Sequence, residues 1–540
     1  MNLEGVNMTE QTVSLTQFHG CDDMSRFADA MEYLRDHPNT TLIVPPGTYL
    51  LTTEKAKAAY KAVMNGEYTE NPQDVMFKPN YPYSKGIDFA GQTGTKFLAY
   101  GAHFQIDGFM EPFSLTNCEN VELAGFSVDC IKKPFCRGWV TDVKTHDNGD
   151  TEFTVKLDSD RPITENTPLM RRHLLWNPNT GTMVKAQFPS VTYIDPYQIK
   201  VIASTDEAVQ VGFEFYMIIS FHSRPIILVE YAKNIRLTDI TIHSQAGMGI
   251  TGNRCENVTM TRLNVVPAGD YHVSTSSDAT HFVSTTGLLR YEDCTFIGQG
   301  DDFTNVHTYF HTIIRKDGQN AYCIQEQTPD GTHTQSLDYP DVGDQMELVS
   351  HSTLQTLGVY TVQHVMPMPN QWMCRVVLDK PLPEELDGLM LADITRLPRL
   401  EVVGCRADSH FARSILIKNR DALVENCSFR NVQGPAIVAA AESWWYEGVC
   451  PANVVIRGNY IENCACFWGH AAGIVVMADC TNASGQSIRN ILIENNVINA
   501  PAHPHGIYLR NVDEATLRGN KINTADAPIK TENCTNIHCE

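Results

Sequence analysis

The sequence predicts an all-β chain: a parallel β-helix interrupted by two antiparallel, β-barrel-like inserts. Three observations carry that expectation. A short strand-bend-strand unit recurs along the chain, two neighbouring copies stand one coil length apart, and the recurrence stops twice to give way to longer alternating strands.

The recurring unit reads Asn120-Val-Glu-Leu-Ala-Gly-Phe-Ser-Val128, Asn234-Ile-Arg-Leu-Thr-Asp-Ile-Thr-Ile242 and Asn257-Val-Thr-Met-Thr-Arg-Leu-Asn-Val265, and returns as Asn453-Val-Val-Ile-Arg-Gly-Asn-Tyr-Ile461 and Asn490-Ile-Leu-Ile-Glu-Asn-Asn-Val-Ile498. Degenerate copies lie at 422–429 and 515–522. Each is an alternating strand, a two-residue polar bend and a second strand, and no helical period fits. Asn234 and Asn257 are 23 residues apart, about one turn of a β-helix. Stacking aligns like residues, so the asparagines are expected to bond to one another along the stack while the aliphatic positions fill the interior.

Taken in chain order, residues 1–135 hold the N-terminal cap and the first coils. Residues 25–35 read as a short amphipathic helix, and Leu42-Ile-Val-Pro-Pro-Gly-Thr-Tyr49 as a first strand closing on a turn. An open β-helix end is an aggregating edge, so the helix is its natural cover. The Pro-Pro-Gly-Thr-Tyr element resembles the opening of pectin-lyase-like right-handed β-helices, which implies that hand here. Residues 136–228 form the first insert, with Thr151-Glu-Phe-Thr-Val-Lys-Leu157 and Gln198-Ile-Lys-Val-Ile202 as strands and Asp147-Asn-Gly149 and Asn179-Thr-Gly181 as turns. Residues 229–308 are central coils, and 309–398 the second insert, with Gln345-Met-Glu-Leu-Val349 and Met373-Cys-Arg-Val-Val-Leu378 as strands. Residues 399–540 complete the coils.

Composition narrows the partners. Of 540 residues 42% are hydrophobic and 19% charged, enough for a large core. Acids outnumber bases 63 to 41, a formal charge of −22, so nucleic acid and anionic membranes would be repelled and a polyanionic substrate is disfavoured. No run approaches the ~18 apolar residues of a membrane span. The N-terminus lacks a basic region followed by an apolar run, and the 16 cysteines are scattered without a Cys-x-x-Cys. Both point to a reducing, cytoplasmic setting, although a secreted chain whose leader has been removed reads the same way. Several cysteines follow asparagine, at Cys118, Cys427, Cys464 and Cys534, as a repeated buried position filled by a small thiol would require.

The chemistry concentrates in two segments. Asp278-Ala-Thr-His-Phe282 follows the Asn257 coil, and Gly298-Gln-Gly-Asp-Asp-Phe-Thr-Asn-Val-His307 comes one coil later, with 23 residues from Asp278 to Asp301. That step stacks Asp278 beside the Asp301-Asp302 pair. Acids this close repel, so at least one gains proton affinity, as glycosidic hydrolysis requires of a carboxylic acid beside a carboxylate. A lone Asp-Asp would read as a solvated turn; the coil-spaced third acid argues for function.

These motifs, the inserts and Ala441-Glu-Ser-Trp-Trp-Tyr-Glu447 resemble glycoside hydrolase family 110 over most of the chain. The resemblance implies an exo-acting, inverting α-1,3-galactosidase of the kind that trims the blood-group B antigen, on a β-helix with barrel inserts. It implies Asp301 as general acid, with Asp278 and Asp302 holding and deprotonating the water. Polygalacturonases of family 28 also place an Asp one coil before an Asp-Asp pair. They expect Gly-His-Gly and Arg-Ile-Lys as well, and only the partial Arg413-Ser-Ile-Leu-Ile-Lys418 is present, which argues against a uronic acid.

Further candidates surround the acids. Arg413 can bind sugar hydroxyls or serve as a ladder-end ion-pair partner. Glu442, Trp444, Trp445 and Glu447 form a polar-aromatic cluster suited to a sugar, with at least one tryptophan expected in the core of its loop because neighbours on an extended chain point opposite ways. His281 and His307 read as orienting the acids or as structural. His307 and His311 have i, i+4 spacing, but on a strand that makes no metal site, and no metal or nucleotide cofactor is expected. The expected partner is a carbohydrate ending in α-galactose, with a homo-oligomer possible. The rival readings are a polygalacturonase-like hydrolase, a calcium-dependent polysaccharide lyase and a non-catalytic glycan-binding β-helix; the last leaves the three stacked acids unexplained.

Overall fold

The computed structural model describes residues 11–68, 81–158, 161–169, 173–326, 338–369, 373–464, 472–482 and 485–540. Short strands wind into a parallel β-helix, with like positions of successive coils side by side. Lys233–Thr238 pairs in parallel with Glu256–Thr261, then Thr286–Glu292, Arg399–Val403, Arg420–Glu425, Ala452–Arg457, Ile488–Glu494 and Val512–Arg518.

The asparagines of the repeat explain the bends. Asn120, Asn234, Asn257, Asn453 and Asn490 have φ between 54° and 56°, the left-handed region that strains most side chains and that asparagine tolerates. Their amides also link the coils: Asn234 Nδ2 donates to Asn120 Oδ1 at 2.9 Å, Asn257 Nδ2 to Asn234 Oδ1 at 2.9 Å, and Asn490 Nδ2 to Asn453 Oδ1 at 2.7 Å. A second row, inside the bore, changes character along the axis. The register places Leu263, Cys294, Cys405, Cys427, Asn459, Asn496 and Asn520 at matching positions on successive coils. The thiols are buried and free; the amides beyond them bond in series, Asn459 Nδ2 to Asn496 Oδ1 at 2.9 Å and Asn496 Nδ2 to Asn520 Oδ1 at 3.0 Å.

Helix Asp23–Asp36, capped by the Asp22 carboxylate on Ser25 N–H, covers the first coil with Phe27, Ala30, Met31 and Leu34. Phe27 meets the rings of Tyr49, Phe97 and Phe104 there. A second helix, Glu54–Met64, is an addition to the expected elements; its run of Ala and Lys favours helix, and Thr53 Oγ1 caps it by accepting from Ala56 N–H at 3.0 Å. Among the described residues no helix is long and apolar enough to cross a membrane.

Two excursions leave the β-helix and return to the next coil. Leu123 pairs directly with Leu237, so the intervening chain is free to build a seven-stranded antiparallel sheet running from Phe135–Thr145 to Glu214–Ile218. Phe153, Val155, Ile199, Val201 and Phe215 form its core. Likewise Leu289 pairs with Leu400, and the chain between them closes a six-stranded antiparallel barrel. Tyr322, Ile324, Met346, Leu348 and Val376 fill it. One strand, Thr304–Lys316, belongs to both bodies: its first part pairs in parallel within the β-helix, and its second part, from Phe310 on, pairs antiparallel within the barrel.

Candidate active site

The site lies where that shared strand and its neighbours stack. Thr280, Thr304 and Ile415 are in register on three adjacent strands. Two residues before these strands begin stand Asp278, Asp302 and Arg413. Asp302, rather than Asp301, is therefore the register partner of Asp278, because bend lengths vary and this coil is one residue longer than the 23-residue step of the asparagines. Asp301 stands beside the pair, and one carboxylate oxygen from each of the three acids lies within 4.8 Å of the other two. The glycine before them is obligatory: a Cβ on Gly300 would fall 2.2 Å from the Ser276 carbonyl oxygen. His410 Nδ1 sits 3.2 Å from the Asp301 carbonyl oxygen and steadies the same turn.

Arg413 joins this acid group to a second one. Its backbone N–H and Nε donate to Asp302 Oδ1 at 2.9 and 3.1 Å, Nη2 to Oδ2 at 3.0 Å, and Nη1 to Glu442 Oε1 at 2.8 Å. Lys418, fully buried, takes the other Glu442 oxygen at 2.6 Å and also bonds Glu447. Asn305 Nδ2 donates to Glu447 Oε2 at 3.0 Å. The path continues from Glu447 Oε1 to His307 Nε2 at 3.8 Å, from there to His281 Nε2 at 2.8 Å, and from His281 Nδ1 to Asp278 Oδ2 at 2.8 Å. The interactions thus form a ring that starts at Asp302 and ends at Asp278, its neighbour.

Burial makes each charge depend on its partners. Burial pushes the Asp302 carboxyl up to about 7, with Arg413 opposing and Asp301 and Asp278 adding to the rise. Arg413 is held above its ordinary value against burial by Asp302 and Glu442, and Lys418 likewise by Glu442 and Glu447. Against burial, Lys418 holds both Glu442 and Glu447 below the usual carboxylate range, with Arg413 aiding at Glu442 and the two histidines at Glu447. Burial drives His307 down to about 3, whereas the bond and charge of Asp278 outweigh burial and raise His281.

The structure thus brings Asp278, Asp301, Asp302, His281, His307, Arg413, Glu442 and Glu447 together. Arg413 is engaged as an ion-pair partner, the second of the two roles its position allowed. Glu447 reaches His307 because the hairpin carrying it is clamped to the shared strand: Tyr309 pairs with Glu447 and Thr308 with Gly448, whose missing Cβ makes room for the Phe310 ring. Trp444 and Trp445 cap that hairpin and are 67% and 44% exposed, so the expectation that one fills the core is corrected; the turn between Glu442 and Glu447 leaves both rings outside. His311 does not join the site; it is buried in the field of Asp338 and Arg254. His281, His307 and Glu447 also offer ligand atoms within 4.8 Å of one another, a third partner that the spacing of His307 and His311 gave no sign of. A metal fits them poorly. Two nitrogens ~2.0 to 2.1 Å from one tetrahedral ion would stand about 3.3 Å apart, wider than the 2.8 Å here, and Lys418 already occupies Glu447.

No family model matches the chain. Among curated proteins it is 26% identical over 492 residues to alpha-1,3-galactosidase A of Shewanella woodyi, covering 84% of this chain and 77% of the relative. It is 23% identical over 461 residues to alpha-1,3-galactosidase B of Bacteroides thetaiotaomicron, covering 80% and 71%. The chain is related to the α-1,3-galactosidases. Solved structures give looser likenesses, such as the family 28 exopolygalacturonase of Yersinia enterocolitica, at a TM-score of 0.41 and 10% identity over 98% of this chain and 78% of that one.

For this relative of the α-1,3-galactosidases, sequence reasoning missed Lys418 and Asn305 as members of the site. Asn305 alone carried a signal in the sequence. Lys418 lies one position past Ile417, which pairs with Val306, and so comes beside His307; Asn305 pairs with His281. A polar residue two places from another on a strand shares its face, and the strand positions of Asn305 and His307 would have identified the row.

Proposed function

We propose that this protein is an exo-acting α-galactosidase that hydrolyses terminal α-1,3-linked galactose from glycans with inversion. One observation carries the reading: three carboxyl groups converge on adjacent coils, in a chain related over about four-fifths of its length to proteins named α-1,3-galactosidases. Asp301 is the general acid, as the family resemblance implies. Asp278 and Asp302 each accept from a basic side chain, which suits them to bind water and take its proton.

The electrostatics support a galactosyl transition state. Asp278, Asp301, Asp302, Glu442 and Glu447 outnumber the basic side chains Arg413, Lys418 and His281 paired with them, and this excess of acid favours the positive charge that develops on the sugar ring. The same count speaks against a uronate, whose carboxylate needs a cation to receive it. Arg413 and Lys418 each already serve two carboxylates. The exposed Trp444 and Trp445 rings offer faces for sugar C–H groups near the acids.

One distance favours a second stereochemical reading. Inverting pairs usually stand ~6.5 to 9.5 Å apart and retaining pairs ~5 Å, and the oxygens here lie within 4.8 Å. Against retention, both oxygens of Asp302 already accept from Arg413, leaving little freedom to attack carbon. Proton NMR of the sugar first released from an α-1,3-galactosyl disaccharide decides: β-galactose is expected, and initial α-galactose would assign retention. Release of internal oligosaccharides, or no action on any α-galactoside, would refute the exo-galactosidase itself.

A further inference from the structure

The pair of histidines beneath the acids has one unusual contact. His281 Nε2 and His307 Nε2 face each other at 2.8 Å, both rings buried, their planes 84° apart. Two bare nitrogen lone pairs at that distance would repel, so one proton must lie between them.

The remaining contacts say where every proton resides. His307 Nδ1 stands 3.0 Å from the Thr308 carbonyl oxygen, which can only accept, so His307 carries its proton on Nδ1. The direct carboxylate contact belongs to the other ring: His281 touches Asp278 at 2.8 Å, whereas His307 meets a neutral carbonyl and stands 3.8 Å from Glu447, so the charge of the pair falls on His281, and burial favours the neutral form of His307. His307 Nε2 is then an acceptor, and the proton in the gap belongs to His281. His281 Nδ1, 2.8 Å from Asp278 Oδ2, must also donate, because a carboxylate accepts. From these contacts we infer that His281 is a standing imidazolium, doubly protonated because His307 is locked as an acceptor, and that it is the fixed countercharge of Asp278; His307 is thus a positioning residue for the reaction. The inference rests on the hydrolase reading for its catalytic meaning, though not for its protonation states.

The surroundings fit a charge at this place. The groups facing His281 are Asp278 on its own segment, His307 on the neighbouring strand, Glu447 on the hairpin and Lys418 beyond it. Glu447 is 3.8 Å from His307 Nε2, close enough to favour positive charge in the pair, while Lys418 opposes it. The two carboxylates outweigh the one ammonium. A neutral His281 would leave Asp278 with no countercharge from this side and set two lone pairs against each other. The sequence reflects the arrangement: His281 comes three residues after Asp278, and His307 five after Asp302, so both rings reach the outer face of adjacent strands.

Neutron diffraction from a crystal of the full chain exchanged into D2O at pD 8 tests the protonation directly. Deuterons are expected on both ring nitrogens of His281 and on Nδ1 alone of His307. A single deuteron on His281, or a metal ion between the Nε2 atoms seen by anomalous scattering, would overturn the inference. Kinetics on an aryl α-galactoside supply the functional arm. His307→Phe removes the acceptor and should bring the alkaline loss of kcat down by at least one pH unit, with KM changed less than threefold, while His307→Gln, which can still accept, should restore the wild-type profile. An unmoved alkaline limb in His307→Phe, with its fold intact by circular dichroism, would remove His307 from this role. Inactivity of the wild type on every α-galactoside would strike the hydrolase reading alone and leave the deuteron positions to be judged separately.

Discussion

Replacing Arg413 by methionine should move the pH at which the enzyme switches on. The substitution keeps much of the volume and removes the Nε and Nη2 donors to Asp302, leaving the backbone N–H of position 413 in place. Hydrogen bonds to a charged group are worth ~1.5 to 3 kcal/mol each. Losing two therefore withdraws ~3 to 6 kcal/mol from the ionised form, equivalent to ~2 to 4 pKa units at ~1.4 kcal/mol each. Water entering the vacated space returns part of this, so a rise of ~1 to 2 units is expected. The sign follows from the role: Asp302 takes a proton from water only when ionised, and burial already pushes it up to about 7. The acid limb of kcat/KM, expected near pH 7 in the wild type, should thus move to ~8 to 9, costing ~5- to 50-fold at pH 7 with substantial recovery by pH 9. Initial rates on 4-nitrophenyl α-galactoside between pH 5 and 10, quenched in carbonate, measure it. A uniform fall in rate with an unmoved acid limb would show that Arg413 does not govern the ionisation of Asp302.

Three other substitutions probe the site independently. Asp301→Asn should retain more relative activity on 2,4-dinitrophenyl α-galactoside, whose leaving group needs no proton, than on a natural disaccharide, whereas Asp278→Asn and Asp302→Asn should lose both alike; equal losses in all three would remove Asp301 as the acid. Lys418→Met leaves Glu442 and Glu447 buried with one cation fewer, a loss of ~3 to 5 kcal/mol at pH 8. Glu447 is held below its ordinary range in the fold, so the stabilisation it draws from Lys418 is fully present above that range and is lost only as pH falls below it; the melting-temperature gap to wild type should narrow below about pH 4, and a gap that stays constant down to about pH 2 would contradict the pairing. Gly300→Ala should cut kcat by about 100-fold while the circular dichroism spectrum stays intact, since its Cβ meets the Ser276 carbonyl and displaces Asp301; wild-type turnover would show that the turn yields.

The parts of this molecule legible in its sequence are those built by repetition. The asparagine of each repeat is both a left-handed bend and a rung of a ladder, so a single residue type announced coil, register and stacking together. The acids were legible for the same reason, although the coil between Asp278 and Asp302 exceeds the asparagine spacing by one residue. Lys418 was not, because its partners Glu442 and Glu447 come from a hairpin on a later coil, and only folding reveals that this hairpin is clamped to the strand bearing His307. The tryptophans were misjudged because alternation applies to strands, whereas Trp444 and Trp445 occupy a turn. Helix Glu54–Met64 lay in a segment whose helix-forming composition was overshadowed by the β repeat around it.

The strand Thr304–Lys316 gives the molecule a mechanical property. It enters as a stave of the β-helix, carries Asn305 and His307, grips the tryptophan hairpin at Thr308 and Tyr309, and leaves as a stave of the barrel. Three bodies are therefore mounted on one axle. Torque applied to the barrel would act, through this one strand, on His307 and on the tryptophan hairpin together. A barrel exchanged for another module would have to preserve the twist of residues 304–316 before anything else, since a few degrees lost at the root would reach the acids as lost alignment.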